Sequence, residues 1–117
     1  MVYMTSISDV ECRSWVTLFA MTGVHLMLSG DPAAYGETKT EILKRVLPVI
    51  TGPVARPGDL WSKPATPALW TLEVSRPFDS WLVVANTQFG SSQVNVLDFA
   101  ALGLDTSKFY TVYDFWN

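Results

Sequence analysis

The sequence predicts an α+β chain, with a helix–strand–helix segment in the first half and an antiparallel β element in the second. Three observations predict it. Apolar residues at helical spacing flank a short, nearly continuous apolar run; a proline-rich stretch follows; beyond it the apolar period becomes that of strands. On this basis residues 1–52 form an α/β segment, 53–68 a linker and 69–117 a partial antiparallel β-sandwich domain.

The first helix should open at Ser8. A Ser followed three residues later by Glu11 is a capping box, in which hydroxyl and carboxylate each satisfy a backbone N–H that the first helical turn leaves unpaired. Trp15, Leu18, Phe19 and Thr22 then recur at i, i+3, i+4 and i+7 and predict the buried stripe, and Gly23 supplies the left-handed position that closes a helix. Val24-His25-Leu26-Met27-Leu28 reads as a strand buried on both faces. Ser29-Gly30-Asp31-Pro32 breaks it. Thr38 and Glu41 predict a second capping box, Ile42, Leu43, Val46 and Leu47 a second apolar face, and Pro48 the stop. The spacing suits parallel strands joined by crossover helices.

Pro53, Pro57, Pro64 and Pro67 mark the linker. Strands are predicted at 69–74, 81–86, 93–97 and 109–116, with a turn at 76–79 and a turn or single helical turn at 99–104. Three or four strands are fewer than the roughly seven of a complete sandwich, so the sheet reads as unfinished.

Composition narrows the function classes. With 49% hydrophobic and 16% charged residues the chain has the balance of one that buries a core. A net charge of −3 without a Lys/Arg cluster argues against a nucleic-acid partner, and no run approaches the roughly 20 apolar residues that span a bilayer. Cys12 and His25 are the sole residues of their types, which excludes an internal disulfide and a Cys/His zinc site within the chain. No closely spaced D-x-D-x-D-G ligand run suggests calcium, and no cofactor is implied.

Several residues invite chemistry. His25, alone in an apolar run, reads as a core histidine rather than a catalytic one. Ser29 lacks a nucleophile-elbow context and reads as a turn residue. Trp61, Trp70, Trp81 and Trp116 could each offer an indole face to a sugar, but Trp70 alternates with Leu72 and Val74, and Trp81 with Val83 and Ala85, which predicts core positions for both. Trp61, in the linker, stays open. Asp79, Asp98, Asp105 and Asp114 fall at turns or strand ends and are expected to cap local backbone groups or to solvate the surface.

The order of these features resembles a known family. Residues 18–31, LFAMTGVHLMLSGD, resemble the final helix–strand segment of melibiase-type α-galactosidases; Glu41-Ile42-Leu43-Lys44 followed by Leu47-Pro48 resembles their last barrel helix. Trp70-Thr71-Leu72 resembles the opening of their carboxy-terminal sandwich, and Leu97-Asp98, Leu102-Gly103-Leu104-Asp105 and residues 110–116, YTVYDFW, resemble that domain's recurring pattern. The resemblance runs from about Glu11 to the end. It implies a remnant of a (β/α)8 barrel followed by an incomplete antiparallel β-sandwich, and hence a fragment of a retaining glycoside hydrolase whose full-length parent cleaves terminal α-glycosidic bonds in a galactoside-type carbohydrate.

A (β/α)8 barrel takes roughly 250 residues, so this chain of 117 holds only a part. Retaining hydrolysis needs two carboxyl groups about 5–5.5 Å apart. The resemblance puts them on earlier barrel strands, upstream of Met1, so no residue here inherits a catalytic role and the isolated chain is expected to be inactive. Asp31, after the candidate last strand, is the one implied substrate-binding residue. Its flanks, Gly30 and Pro32, depart from the Asn-Asp or Asp-Asp of related enzymes, and a turn-capping role explains it equally. The competing expectation is a non-catalytic β module for carbohydrate or protein binding. As a fragment, the chain is expected to self-associate through exposed strand edges.

Overall fold

The computed structural model describes residues 2–49, 52–58, 60–61, 67–87, 94 and 96–117. It is a mixed helix-and-sheet chain in which two helices and a small parallel pair of strands adjoin a three-stranded antiparallel sheet.

Helix α1 (Asp9–Thr22) begins where the capping box placed it. The Ser8 backbone N–H donates to Glu11 Oε2 at 2.8 Å, and the Glu11 N–H donates to Ser8 Oγ at 3.3 Å. Gly23 ends the helix with φ 66°, a left-handed conformation that costs glycine nothing and a residue with a Cβ much more. The buried stripe differs from the expected one. Cys12, Val16 and Met21 are buried, whereas Trp15 is exposed and Leu18, Phe19 and Thr22 are half-buried. The reason is that α1 has two partners: Cys12 and Val16 share a core with the second helix, while Met21, near the other end, packs into the sheet. Burial therefore turns around the helix instead of following one stripe.

Strand β1 (Val2–Tyr3) pairs in parallel with β2 (Leu28–Ser29) across α1, as a β–α–β unit. The strand expected at 24–28 shrinks to this pair; residues 24–27 are irregular, with Val24, His25 and Met27 exposed. A strand buried on both faces needs neighbours to cover it, and among the described residues Leu28 and Ser29 have β1 alone as a strand partner. His25 is accordingly not a core histidine.

A 3₁₀ turn (Pro32–Ala34) leads into α2 (Gly36–Val46). The second capping box is not formed: α2 starts two residues before Thr38, its preceding residue Tyr35 makes no side-chain cap bond, and Glu41 instead pairs with Lys44 at 2.7 Å. Two contacts outside the local motif set this start. Tyr35 is buried and its hydroxyl donates to the Ser29 carbonyl at 3.1 Å, while Gly36, at φ 77°, turns the chain directly into the helix. Ile42, Leu43 and Val46 are buried as expected, against Met4, Cys12 and Val16; Leu47, beyond the helix end, is exposed. Lys39 reaches across from α2, its ammonium donating to the Met4 and Ile7 carbonyls at 2.6 Å each.

Strands β4 (Leu69–Ser75) and β5 (Ser80–Asn86) form the expected hairpin, in register from Leu69 opposite Asn86 to Ser75 opposite Ser80. The Arg76 N–H donates to the Asp79 carbonyl at 2.8 Å to close the turn. The stretch read as a linker also contributes to the sheet: β3 (Arg56–Pro57) pairs antiparallel with β4, with Pro57 at an edge, where a residue lacking an N–H is tolerated. The Ala55 N–H donates to the Met21 carbonyl at 2.9 Å, so this stretch ties α1 to the sheet. Met21, Ala55, Leu72, Val74 and Ala85 make one core, flanked by Trp70 and Val83.

The last two expected strands fare differently. In 93–97, Gln93 and Asn95 lie outside the described residues, and Val94, Val96 and Leu97 are exposed and irregular. Residues 109–116 are also irregular: Phe109, Val112 and Tyr113 are exposed, and no described strand pairs with them. High β propensity does not make a strand without an edge to join. The end of this run is held by side chains instead. Arg45 Nη1 donates to the Phe115 and Trp116 carbonyls at 3.3 and 2.8 Å, and Trp116 packs on the helical core. The turn at 99–104 forms as expected, with Asp98 Oδ1 accepting from the Ala100 N–H at 2.9 Å.

Candidate functional site

Asp31 lies two residues past the end of β2, at the carboxyl end of the parallel pair, the end of an α/β layer where ligand contacts collect. Its side chain caps the 3₁₀ turn: Oδ1 accepts from the Ala33 N–H at 3.0 Å, and the residue is exposed. The local Asp-Pro sequence explains this geometry, because proline fills the first helical position and the carboxylate takes up the free N–H that follows. Ser29 sits in β2 with its carbonyl engaged by Tyr35. His25 stands on the exposed segment before β2. Among the described residues, no group of three or more His, Cys, Asp or Glu could hold a metal ion, and no helix is long and apolar enough to cross a membrane.

Three of the four turn aspartates cap their own backbone. Asp98 does so as described above. Asp105 accepts from the Ser107 hydroxyl at 2.7 Å and the Ser107 N–H at 3.0 Å, which hold its carboxyl below the ordinary carboxylate range. Asp114 accepts from Asn117 Nδ2 at 2.7 Å and from the Trp116 N–H at 3.0 Å, with the same effect. Asp79 differs. Its Oδ2 accepts from the indole N–H of Trp81 at 2.9 Å.

The tryptophans divide by position. Trp70 is half-buried beside the sheet core, as its alternation predicts, and its indole N–H donates to the Pro67 carbonyl at 3.2 Å. Trp116 lies on the helical core with the Arg13 guanidinium 5.8 Å from its ring centroid. Trp61 is 95% exposed. Trp81 was expected in the core and is 50% exposed. It shares the inner face with Val83 and Ala85, but it lies at the turn end of β5 and is not among the residues that make the sheet core. Alternation identifies a residue's face; it does not tell whether that part of the face is covered.

Two hollows remain. One, of about 100 Å³, lies among Arg13, Thr38, Glu41, Ile42, Arg45 and Trp116; its arginines are engaged with Trp116 and with backbone carbonyls, so it serves as a clasp for the chain end. The other, of about 250 Å³, opens at the hairpin and is lined by Val74, Arg76, Asp79, Trp81 and Val83. The lining thus combines a tryptophan, an aspartate and an arginine with two valines. The signal in the sequence was the Arg76-Pro77-Phe78-Asp79 turn beside Trp81, which puts both charged residues and the ring at one end of the hairpin.

No family model, curated protein or solved structure matches this chain.

Proposed function

We infer that the chain is the closing segment of a melibiase-type retaining glycoside hydrolase, contributing the end of a (β/α)8 barrel and the start of a β-sandwich. In this reading the full-length parent hydrolyses terminal α-glycosidic bonds of a galactoside-type substrate, and the isolated segment is inactive. The supporting observation is the order of elements: β1, α1, β2 and α2 make a parallel β/α unit, and an antiparallel hairpin follows it. That order agrees with the sequence resemblance of residues 18–31 and 41–48. Asp31, at the carboxyl end of β2, would meet the substrate in the assembled barrel, with one oxygen retained by the Ala33 N–H. In this reading neighbouring barrel strands would extend the small parallel pair, and a segment separated from them would favour self-association.

The test has two parts. Sequencing the coding DNA that flanks this segment should reveal upstream β/α units whose strands end in aspartates; an upstream stop codon in frame, close to Met1, overturns the reading. The assembled parent should release p-nitrophenol from p-nitrophenyl α-galactoside, while the isolated chain releases none. Turnover by the isolated chain would contradict the assignment of both carboxylates to other strands.

A further inference from the structure

The inner face of the β4–β5 hairpin is buried unevenly. Met21, Leu72, Val74 and Ala85 share one core, whereas Trp81, directly opposite Val74, keeps half of its surface in solvent. The ring is nonetheless held in place. Its N–H donates to Asp79 Oδ2, and its backbone is paired in the hairpin register, so a ligand stacking on it finds an oriented platform and loses less freedom on binding.

We propose that this cavity is a binding site for a neutral pyranose, which lays its C–H face on the Trp81 indole and divides its hydroxyls between Asp79 and Arg76. An indole face offers a polarisable apolar surface matched to the C–H face of a sugar ring. The second oxygen of Asp79 is an acceptor for hydroxyl groups, and the Arg76 guanidinium is a donor. Neighbouring hydroxyls on a ring need both. The two side chains carry opposite charges, so the site favours neither an anion nor a cation. Val74 and Val83 furnish an apolar floor for the ring edge. At about 250 Å³ the hollow suits one sugar ring and is smaller than the ~300–1,000 Å³ typical of drug-sized ligands. This proposal is independent of the closing-segment reading: it concerns the hairpin and needs neither Asp31 nor a barrel.

The experiment is a titration of the ¹⁵N-labelled chain with methyl α-D-galactopyranoside and methyl α-D-glucopyranoside, with glycerol as a polyol that has no ring to stack. The indole N–H resonance of Trp81 is assigned as the one lost in Trp81→Phe. It should shift saturably with at least one glycoside, together with backbone amides of residues 74–83, with a dissociation constant on the order of a millimolar for a ligand of this size. In Trp81→Ala the affinity should fall roughly tenfold, and in Asp79→Ala several-fold, while Trp81→Phe keeps most of it. Should Trp81→Ala lose its dispersed spectrum, Asp79→Ala decides. Absence of a saturable shift with both glycosides, an equal response to glycerol, or undiminished affinity in a folded Asp79→Ala chain would overturn the proposal. So would saturation of the same resonances by a short apolar peptide when neither sugar acts.

Discussion

Lys39 is the most revealing position to perturb. Its ammonium donates to two carbonyls, those of Met4 and Ile7, at 2.6 Å each and across 35 and 32 residues of chain. It thereby fastens the segment between β1 and α1 onto α2, next to the fully buried Met4 side chain. Lys39→Met keeps most of the aliphatic stem and removes both donors. Hydrogen bonds to charged groups contribute about 1.5–3 kcal/mol each, and two sharing one ammonium are less than additive. The variant should therefore lose about 2–3 kcal/mol, a large share of the ~5–15 kcal/mol typical of a domain. With a urea m-value of ~1.5 kcal/mol/M, the unfolding midpoint should fall by roughly 1.5–2 M at unchanged m. Lys39→Arg, whose planar fork cannot converge on both carbonyls in the same way, should lie between. A midpoint within about 0.3 M of the parent chain for Lys39→Met would refute the latch, since even one such bond is worth more than that shift.

The capping box and the buried thiol supply two further tests. The Ser8 N–H, and then its hydroxyl, hold the Glu11 carboxyl below its ordinary range. A folded-state value lower than the unfolded one means the contribution is present at neutral pH and is lost as pH falls through the folded value. Helical circular dichroism should thus decline on the acid side of about pH 4, with Glu11→Gln showing a shallower decline. Ser8→Ala should cost about 1 kcal/mol at neutral pH, measured by urea unfolding, and an unchanged midpoint would remove the cap from the account. Cys12 is fully buried and free, and burial pushes its thiol pKa up. Its reaction with an aromatic disulfide reagent at pH 7.5 should be slow and should accelerate with urea; immediate modification of the native chain would contradict its place in the core.

The local motifs that transferred from sequence to structure were those satisfied within a few residues. Ser8 and Glu11 close their box, Gly23 closes α1, and the hairpin keeps its register because the four-residue turn and the alternation of Leu72 and Val74 with Glu73 agree. Thr38 and Glu41 form the same pattern on paper, yet the burial of Tyr35 and the turn at Gly36 start α2 earlier and leave that box unused. Asp31 was legible as a cap from Asp-Pro and as a residue following a strand, while the extent of that strand, two residues, came from the parallel pairing. The turn that brings Arg76 and Asp79 to the Trp81 end of the hairpin was legible, but the exposure of Trp81 was not, because Trp81 and Trp70 have the same alternating pattern and differ in burial.

From its sequence alone, then, the chain determines an α+β character, the capped start of α1, the apolar face of α2 and the hairpin, all of which depend on contacts within a turn or between adjacent strands. The tertiary structure decided which side of α1 is buried, that residues 56–57 pair with the sheet, that residues 24–27 and 109–116 stay out of strands, and that Trp81 stands half in solvent. Each of these depends on whether a distant partner arrives to cover a surface or pair an edge, and no local pattern carries that information.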